Sequence, residues 1–348
     1  RLYRARTRRR RRPPVRNQIK MRRIEINVND EGQRLDKFVR KTVWGLPPSL
    51  MYKYIRTKRI KVNGKMAKLS QKLVEGDIVD FFIPDEFFEK KAADFEFDRV
   101  KQDFDVIYED ENIILCDKRP GMLVHPGDGD ERRSAEVSER ETLLFQIKAY
   151  LWKKGEYRPE NENSFAPALC NRIDRNTGGI VIAAKNALAL REMNEEMRLG
   201  GTLKKYLCAV HGKMEKKHDI LTAYLFKDSR VKTAYVTDDF KPGSKKIVTE
   251  YSLLSYNREK NLSLLEISLH TGRTHQIRAH MAHIGHVLLG DGKYGKNKND
   301  RTDGWFSQAL YSYKLGFDPK TDFFEYLRGR YFTVDMSKIK FLSFFDMR

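Results

Sequence analysis

Between residues 33 and 83 the apolar positions form two helical repeats followed by short alternating runs. Leu35, Phe38 and Val39 recur at the spacing of one helix face. Pro47-Pro48-Ser49 introduces a second repeat at Leu50 and Tyr54, with Ile55 as a further candidate. Ile60 and Val62 then alternate with lysines, Asn63-Gly64 has the composition of a hairpin turn, and Glu75-Gly76-Asp77 leads into Ile78-Val79-Asp80-Phe81. The expected unit is two small helices followed by small strands. From Phe104 the pattern changes, and strands are expected at 106–108, 113–115, 179–184, 206–210, 248–254 and 262–269, the last two as a hairpin across 257–261. A helix is expected after Asn186, with Leu190, Met193 and Met197 on one face and an end near Gly200-Gly201. Strands and helices do not alternate regularly, so the fold class expected is α+β, with a mixed, mostly antiparallel sheet in the larger part.

Length supports the division, because 348 residues suit two folded units joined by a linker. The organisation expected is a disordered basic leader at 1–20, a small domain at 21–83, a linker at 84–102 and a larger domain at 103–348. With 40% hydrophobic and 11% aromatic residues the chain is not wholly disordered. No apolar run approaches the roughly 20 residues of a membrane helix. The three cysteines, Cys116, Cys170 and Cys208, are too far apart for a metal knuckle or a disulfide framework, which fits a reducing compartment, the cytoplasm.

Charge changes the picture more than length does. The net charge is +20, a balance that points to a polyanionic partner, most often nucleic acid. Residues 1–20 carry nine Arg and one Lys without an acid. Because the first methionine is Met21, this leader is read as an upstream, non-native extension; the alternatives are a basic arm that tethers RNA and a targeting segment. Residues 33–83 hold twelve basic residues against four acids, whereas 103–348 are left with only +5. Contacts of the larger domain with a polyanion must therefore be local.

Several motifs invite functional readings that the residues themselves do not sustain. Gly290-Asp291-Gly292-Lys293-Tyr294-Gly295-Lys296-Asn297 satisfies a dinucleotide pattern and nearly a phosphate loop. It lacks the Ser or Thr that a phosphate loop needs, and a polar, turn-like stretch from Asn297 to Gly304 follows it instead of a helix. His275, His280, His283 and His286 suggest a metal site, but no carboxylate or thiol interleaves them. Packing or backbone bonding is the plainer reading, with RNA contact as the functional one. Asp174 lies between Arg172 and Arg175, just before the apolar run Ile180-Val181-Ile182-Ala183-Ala184, and neighbouring positive charge favours a carboxylate that can act as nucleophile or base. A surface ion pair is the commoner fate of such a triplet.

The strings NRIDRNTGGIVIAAKN, KKYLCAVHG and SLHTGRTHQIRAHMAHIGHVLLGDGKYG together resemble the signatures of the RluA-type pseudouridine synthases. The stretch RLDKFVRK, PPSLMYKYIRTKRIKVNGK and LVEGDIV resembles the S-four-like RNA-binding module found in their large-subunit ribosomal RNA members. The likeness spans nearly all of residues 33–295 and is greatest to the RluC-like branch. It implies a small basic helix-helix-strand RNA-binding domain before a catalytic domain that isomerises specific uridines of large-subunit ribosomal RNA to pseudouridine. No cofactor, no metal and no membrane are implied, and a monomer is expected. The competing class is a non-catalytic RNA-binding or ribosome-assembly protein; a nuclease or methyltransferase ranks third.

By this resemblance Asp174 acts on the target nucleotide, at the anomeric carbon or at carbon 6 of uracil. Arg172 takes the place of the extruded uridine in the RNA stack, a role suited to a planar cation. Tyr206 lies against the flipped base and is a candidate to take the proton from carbon 5. Arg278 pairs with the aspartate and Ile277 walls the pocket, while Arg273, His275 and Gln276 complete an RNA-facing loop. In the small domain Arg34, Lys53, Arg56, Lys58, Arg59 and Lys61 are expected on the RNA face. The chain departs from the family pattern at Asn171, where histidine is common, and at Gly178, where serine is common. Residues 300–348 carry no recognisable motif.

Overall fold

A computed structural model of the chain describes residues 21–88, 97–125, 139–228, 233–296 and 298–345. The leader at 1–20 and the middle of the expected linker lie outside the described residues. The described residues form two units: 21–88 together with Glu160–Phe165, and the described residues from 97 onward other than that segment.

In the first unit α1 (Leu35–Thr42) and α2 (Pro48–Arg56) accompany an antiparallel sheet. Its strands are β1 (Met21–Glu25), β2 (Ile60–Val62), β3 (Lys65–Met66) and β4 (Ile78–Phe82), in the order β1-β4-β2-β3. Asn63 at φ 50° and Gly64 at φ 71° make the tight turn between β2 and β3, the left-handed pair that the dipeptide Asn-Gly favours. The buried face of α2 is Met51 and Ile55, with Leu50 and Tyr54 only half-buried. Ile55, the further candidate, is thus in the core, while Met51 rather than Leu50 or Tyr54 joins it, because 50/54 and 51/55 share the same i, i+4 spacing and only the contact with the sheet decides between them. Asp30 is fully buried and accepts hydrogen bonds from Asn163 Nδ2 at 2.7 Å and Ser164 Oγ at 2.5 Å, which ties residues 160–165 into this unit. At the ends of the expected linker, Phe88 is buried in the core of the first unit and Phe97 in that of the second.

The second unit is built on one large sheet. Its strands are β5 (Phe104–Glu109), β6 (Ile113–Lys118), β7 (Ala168–Leu169), β8 (Gly178–Ala184), β9 (Thr202–His211), β10 (His218–Asp228), β11 (Thr233–Thr237), β12 (Lys245–Asn257), β13 (Leu262–Leu269), β14 (Leu310–Phe317) and β15 (Tyr331–Thr333). They run in the order β11-β10-β12-β13-β9-β14-β8-β6-β5, with β15 on β14 and β7 on β8. Among the described residues β14 and β8 pair parallel and the other pairs are antiparallel, so the sheet is mixed and mostly antiparallel. All six strands expected from the pattern are present, and β12 and β13 form the expected hairpin.

Among the described residues three helices of eight residues or more flank the sheet: α3 (Leu143–Lys154), α4 (Ala187–Leu199) and α5 (Gln276–His283). Asn186 caps α4 by accepting from Ala189 N at 2.8 Å, and Gly200 closes it at φ 82°. Residues 298–302, expected as part of a polar turn, form instead the short helix α6 (Lys298–Thr302). Its Asp300 is buried and accepts from Gly290 N at 2.7 Å. The core divides into two large clusters, one holding Ile114, Val181, Tyr206 and Ile277, the other Leu115, Ile182, Leu207 and Phe324. Neighbouring residues of one strand enter different clusters, as the two faces of a fully buried strand require.

Candidate active site

Asp174 stands on the loop between β7 and β8, a turn closed by Thr177 N donating to the Asp174 carbonyl at 3.0 Å. The loop is held from both ends. Asn171 Oδ1 accepts from Ile182 N at 2.7 Å, prolonging the β7–β8 pairing, and Gly179 at φ 109° lies so near β14 that a Cβ would sit 2.1 Å from the Ser312 carbonyl. Asn171 and Gly178, the two departures from the family pattern, therefore serve the loop's backbone and packing. Gly178 itself abuts the Tyr311 ring, and a Cβ there would meet Cε2 at 2.3 Å.

From the other side of the site comes α5, entered through His275 in the left-handed region at φ 56°. The turn before it is fixed by Gln276, whose Oε1 accepts from Thr271 Oγ1 at 2.9 Å and from Arg273 N at 3.1 Å. Its Nε2 donates to the Val248 carbonyl and to Thr249 Oγ1, both at 3.1 Å. Gln276 thus lines the site with its amide committed to the loop.

These elements enclose a cavity of about 70 Å³ lined by residues that include Arg172, Asp174, Tyr206, Arg273, His275 and Arg278, with Ile277 as an apolar wall. The sequence-expected residues of the second unit, 172, 174, 206, 273, 275, 276, 277 and 278, meet here. Arg278 Nη1 donates to Asp174 Oδ2 at 2.8 Å across a separation of 104 residues. The same guanidinium gives Nε and Nη2 to the two oxygens of Asp291, at 2.7 and 2.9 Å, a bidentate pair whose carboxylate side chain has no exposure at all. Burial opposes the Arg278 charge, but the hydrogen bonds and charge of Asp291, then of Asp174, outweigh it and raise its pKa. Burial likewise works against ionisation of Asp291, and the Arg278 bond overrides it to leave that carboxyl below its ordinary range.

His275 is half-buried, with Nε2 3.7 Å from Asp174 Oδ2 and Nδ1 2.9 Å from the Tyr294 hydroxyl. Burial lowers its pKa to about 4 against the opposing pull of Asp174, so the ring is neutral at pH 7. Its Nδ1 edge thus meets Tyr294 and its Nε2 edge faces Asp174. Tyr294 also accepts from Ala234 N at 3.1 Å and lies under the Arg278 guanidinium, 5.3 Å from its ring centroid. Tyr206, opposite Ile267 on β9, is buried; burial first, and the Asp174 charge, push its hydroxyl up to about 12 despite a hydrogen bond with Ser312.

Three contributors escaped the sequence reading. Asp291 and Tyr294 belong to the glycine-rich string weighed as a phosphate loop. Its glycines serve packing, since a Cβ on Gly290 would meet the Ser307 carbonyl at 2.2 Å and one on Gly295 the Val287 side chain at 2.5 Å. Lys118, at the end of β6, is fully buried and donates to the carbonyls of Arg119, Met122 and Arg175 at 3.0, 3.0 and 2.8 Å, pinning the far side of the Asp174 loop. A lysine closing an apolar strand before a Pro-Gly turn was the available signal.

The remaining histidines go to separate partners: His280 Nδ1 to Thr249 Oγ1, His283 Nε2 to Asp238, and His286 Nδ1 to the His211 carbonyl. In the first unit Arg34, Lys53, Arg56, Lys58 and Arg59 are exposed and Lys61 is half-buried. Arg34 is held by Asp36 through Nε at 3.1 Å and Nη2 at 2.7 Å, whereas Lys53 to Lys61 follow one another along the end of α2 and into β2.

Residues 112–283 match the RNA pseudouridylate synthase family, and residues 33–79 match the S4 domain. An uncharacterized RNA pseudouridine synthase of Mycoplasma genitalium is 33% identical over 306 residues, covering 85% of this chain and 89% of that protein. Ribosomal large subunit pseudouridine synthase C of Escherichia coli K12 is 32% identical over 285 residues, covering 80% of this chain and 81% of that one. Among solved structures, human RNA pseudouridylate synthase domain containing 4 superposes with a TM-score of 0.50 at 16% identity, covering 69% of this chain and 92% of that one.

Proposed function

The chain belongs to the RNA pseudouridylate synthase family, and on that premise we propose that it isomerises specific uridines of large-subunit ribosomal RNA, with Asp174 as the group that acts on the extruded nucleotide. The observation that carries this reading is the Asp174 carboxylate at a cavity it shares with Tyr206, held by Arg278 at 2.8 Å. The overall change breaks the bond from C1′ to N1, turns the base and joins C1′ to C5. The proton leaves C5 and N1 gains one, so nothing is consumed and no electron changes hands. The protein has to bring a base out of its stack, at a few kcal/mol offset by pocket contacts, and to hold one anionic oxygen against sugar or ring.

The residues divide that work. Arg278, locked on its other edge by Asp291, orients the carboxylate and balances its charge. Neutral His275 stands near the same oxygen without adding a second full positive charge. Tyr206, protonated at neutral pH, faces the cavity beside the apolar Leu269 and Leu310 and supports the turned base. Arg172 at the rim supplies a planar cation for the stack that the base leaves. Lys53, Arg56, Lys58 and Arg59 offer phosphates an exposed basic run in the S4 unit, continued by half-buried Lys61. The names of the relatives support the ribosomal substrate, and a cytoplasmic protein acting as a single chain is part of the same proposal. No described helix is long and apolar enough to cross a membrane.

Mapping pseudouridine along ribosomal RNA with and without the gene tests this reading. Discrete large-subunit positions should lose the modification in its absence and regain it when purified protein is added to the unmodified RNA. A wild-type protein that converts no uridine in that RNA overturns it in favour of a non-catalytic RNA-binding protein.

A further inference from the structure

The Asp174 loop also contributes, through Arg175, to a second, larger recess of about 610 Å³. Five cationic side chains, Arg99, Lys101, Arg119, Arg140 and Arg175, line it against two carboxylates, Asp103 and Glu141, of which Asp103 pairs with Arg119 Nη1 at 2.6 Å, a half-exposed pair that a phosphate can compete for. All five are exposed. Its floor is built firmly. Lys118 bonds three carbonyls on both of the loops that form the wall, Gly121 N donates to the Arg175 carbonyl at 2.9 Å, and Arg175 Nε donates back to the Gly121 carbonyl at 2.9 Å. Gln146, buried on α3, accepts from Asp103 N at 2.8 Å and fixes the remaining edge.

Asp174 lines the catalytic cavity and Arg175, the next residue, lines the recess; adjacent Cα atoms are about 3.8 Å apart across a trans peptide. A strand whose target base enters the cavity at Asp174 therefore carries its neighbouring phosphates past the recess. We propose that this recess is a binding site for the sugar-phosphate backbone of single-stranded RNA flanking the target nucleotide. The assignment rests on the reading of Asp174 as the catalytic group only for which nucleotide is bound; the affinity for backbone follows from the recess itself. Exposed guanidinium and ammonium groups on a fixed floor contact phosphates without reading bases, and such contacts release counterions.

The test uses the full chain and a fluorescein-labelled oligouridylate, with binding measured by anisotropy over a series of salt concentrations. Lys101→Gln/Arg119→Gln should bind more weakly than wild type. Its slope of log affinity against log salt should be shallower by about 1.4, the value for two single-strand phosphate contacts. The charge-matched Lys216→Gln/Lys260→Gln, away from the recess, should leave the slope unchanged, and Lys101→Arg/Arg119→Lys should restore it. On ribosomal RNA the Gln pair should raise KM and leave kcat in place. An unchanged slope in the Gln pair, an equal loss in the charge-matched control, or a fall in kcat at unaltered KM overturns the proposal. A wild type that converts no uridine while the Gln pair still flattens the slope refutes the catalytic reading and upholds the recess.

Discussion

At position 178 the backbone passes so close to the Tyr311 ring that only glycine fits without a clash. Tyr311 is itself held by Asp117, its hydroxyl donating to Oδ1 at 2.8 Å, so the ring has nowhere to retreat. Gly178→Ser should lower stability by about 1–3 kcal/mol, the ordinary effect of overpacking, as read by urea unfolding. Gly178→Ser combined with Tyr311→Leu should lose less than the two single losses added together, because the clash is shared. Asp291 makes a sharper case. With Arg278 bonded bidentately to a fully enclosed carboxylate, Asp291→Asn leaves a buried guanidinium short of its counter-charge and should cost about 3–5 kcal/mol. Through the loosened Arg278, turnover should drop by about 10²-fold, the scale of a 1 Å misplacement. A variant as active as wild type would show that Arg278 needs no brace. Neither residue was recognisable for what it does, since a Gly-Asp-Gly turn reads as a phosphate loop until its partner, thirteen residues earlier, is in place.

Among the elements, α5 and the turn before it carry two histidines whose titration burial displaces. Burial holds both His275 and His280 to about 4, below the roughly 6.5 of an unfolded chain. Between those values the unfolded state binds more protons than the folded one, so stability falls as pH drops from 6.5 towards 4 and is insensitive to these groups above 6.5. The loss should reach up to about 3 kcal/mol for each histidine. His280→Asn should flatten that limb in unfolding measured across this range, and an unaltered limb would refute the assignment. The elements also show what periodicity can reveal. Helix α4 was legible because its cap, its face and its terminal glycine all agree. Helix α3 was not: Leu143, Phe145, Gln146, Ile147, Ala149 and Leu151 are all buried, so no polar stripe marks a helix. Strand β14 sits mid-sheet between β9 and β8, yet these two neighbours lie over a hundred residues away, and nothing local in 310–317 names them. Asp174 and Arg278 were paired through family likeness alone, because a contact across 104 residues leaves no spacing to read.

For the molecule as a whole, uneven charge sets the division of labour. The first unit carries a basic run from Lys53 to Lys61, while in the second a group of cations lines the cavity and the recess beside the Asp174 loop. Replacing Arg56, Lys58 and Arg59 by glutamine should weaken binding to ribosomal RNA and make its salt slope shallower by about 2, for three single-strand phosphate contacts, without altering the chemical step. A lower single-turnover rate at saturating enzyme would contradict that separation of affinity from chemistry. The claim on which the rest depends is that one carboxylate does the isomerisation. Single-turnover pseudouridine formation on unmodified large-subunit ribosomal RNA, measured for wild type and Asp174→Asn with RNA affinity determined in parallel, addresses it directly. The account predicts that the variant binds as wild type does and forms no product; product formed by the variant at the wild-type rate would contradict it.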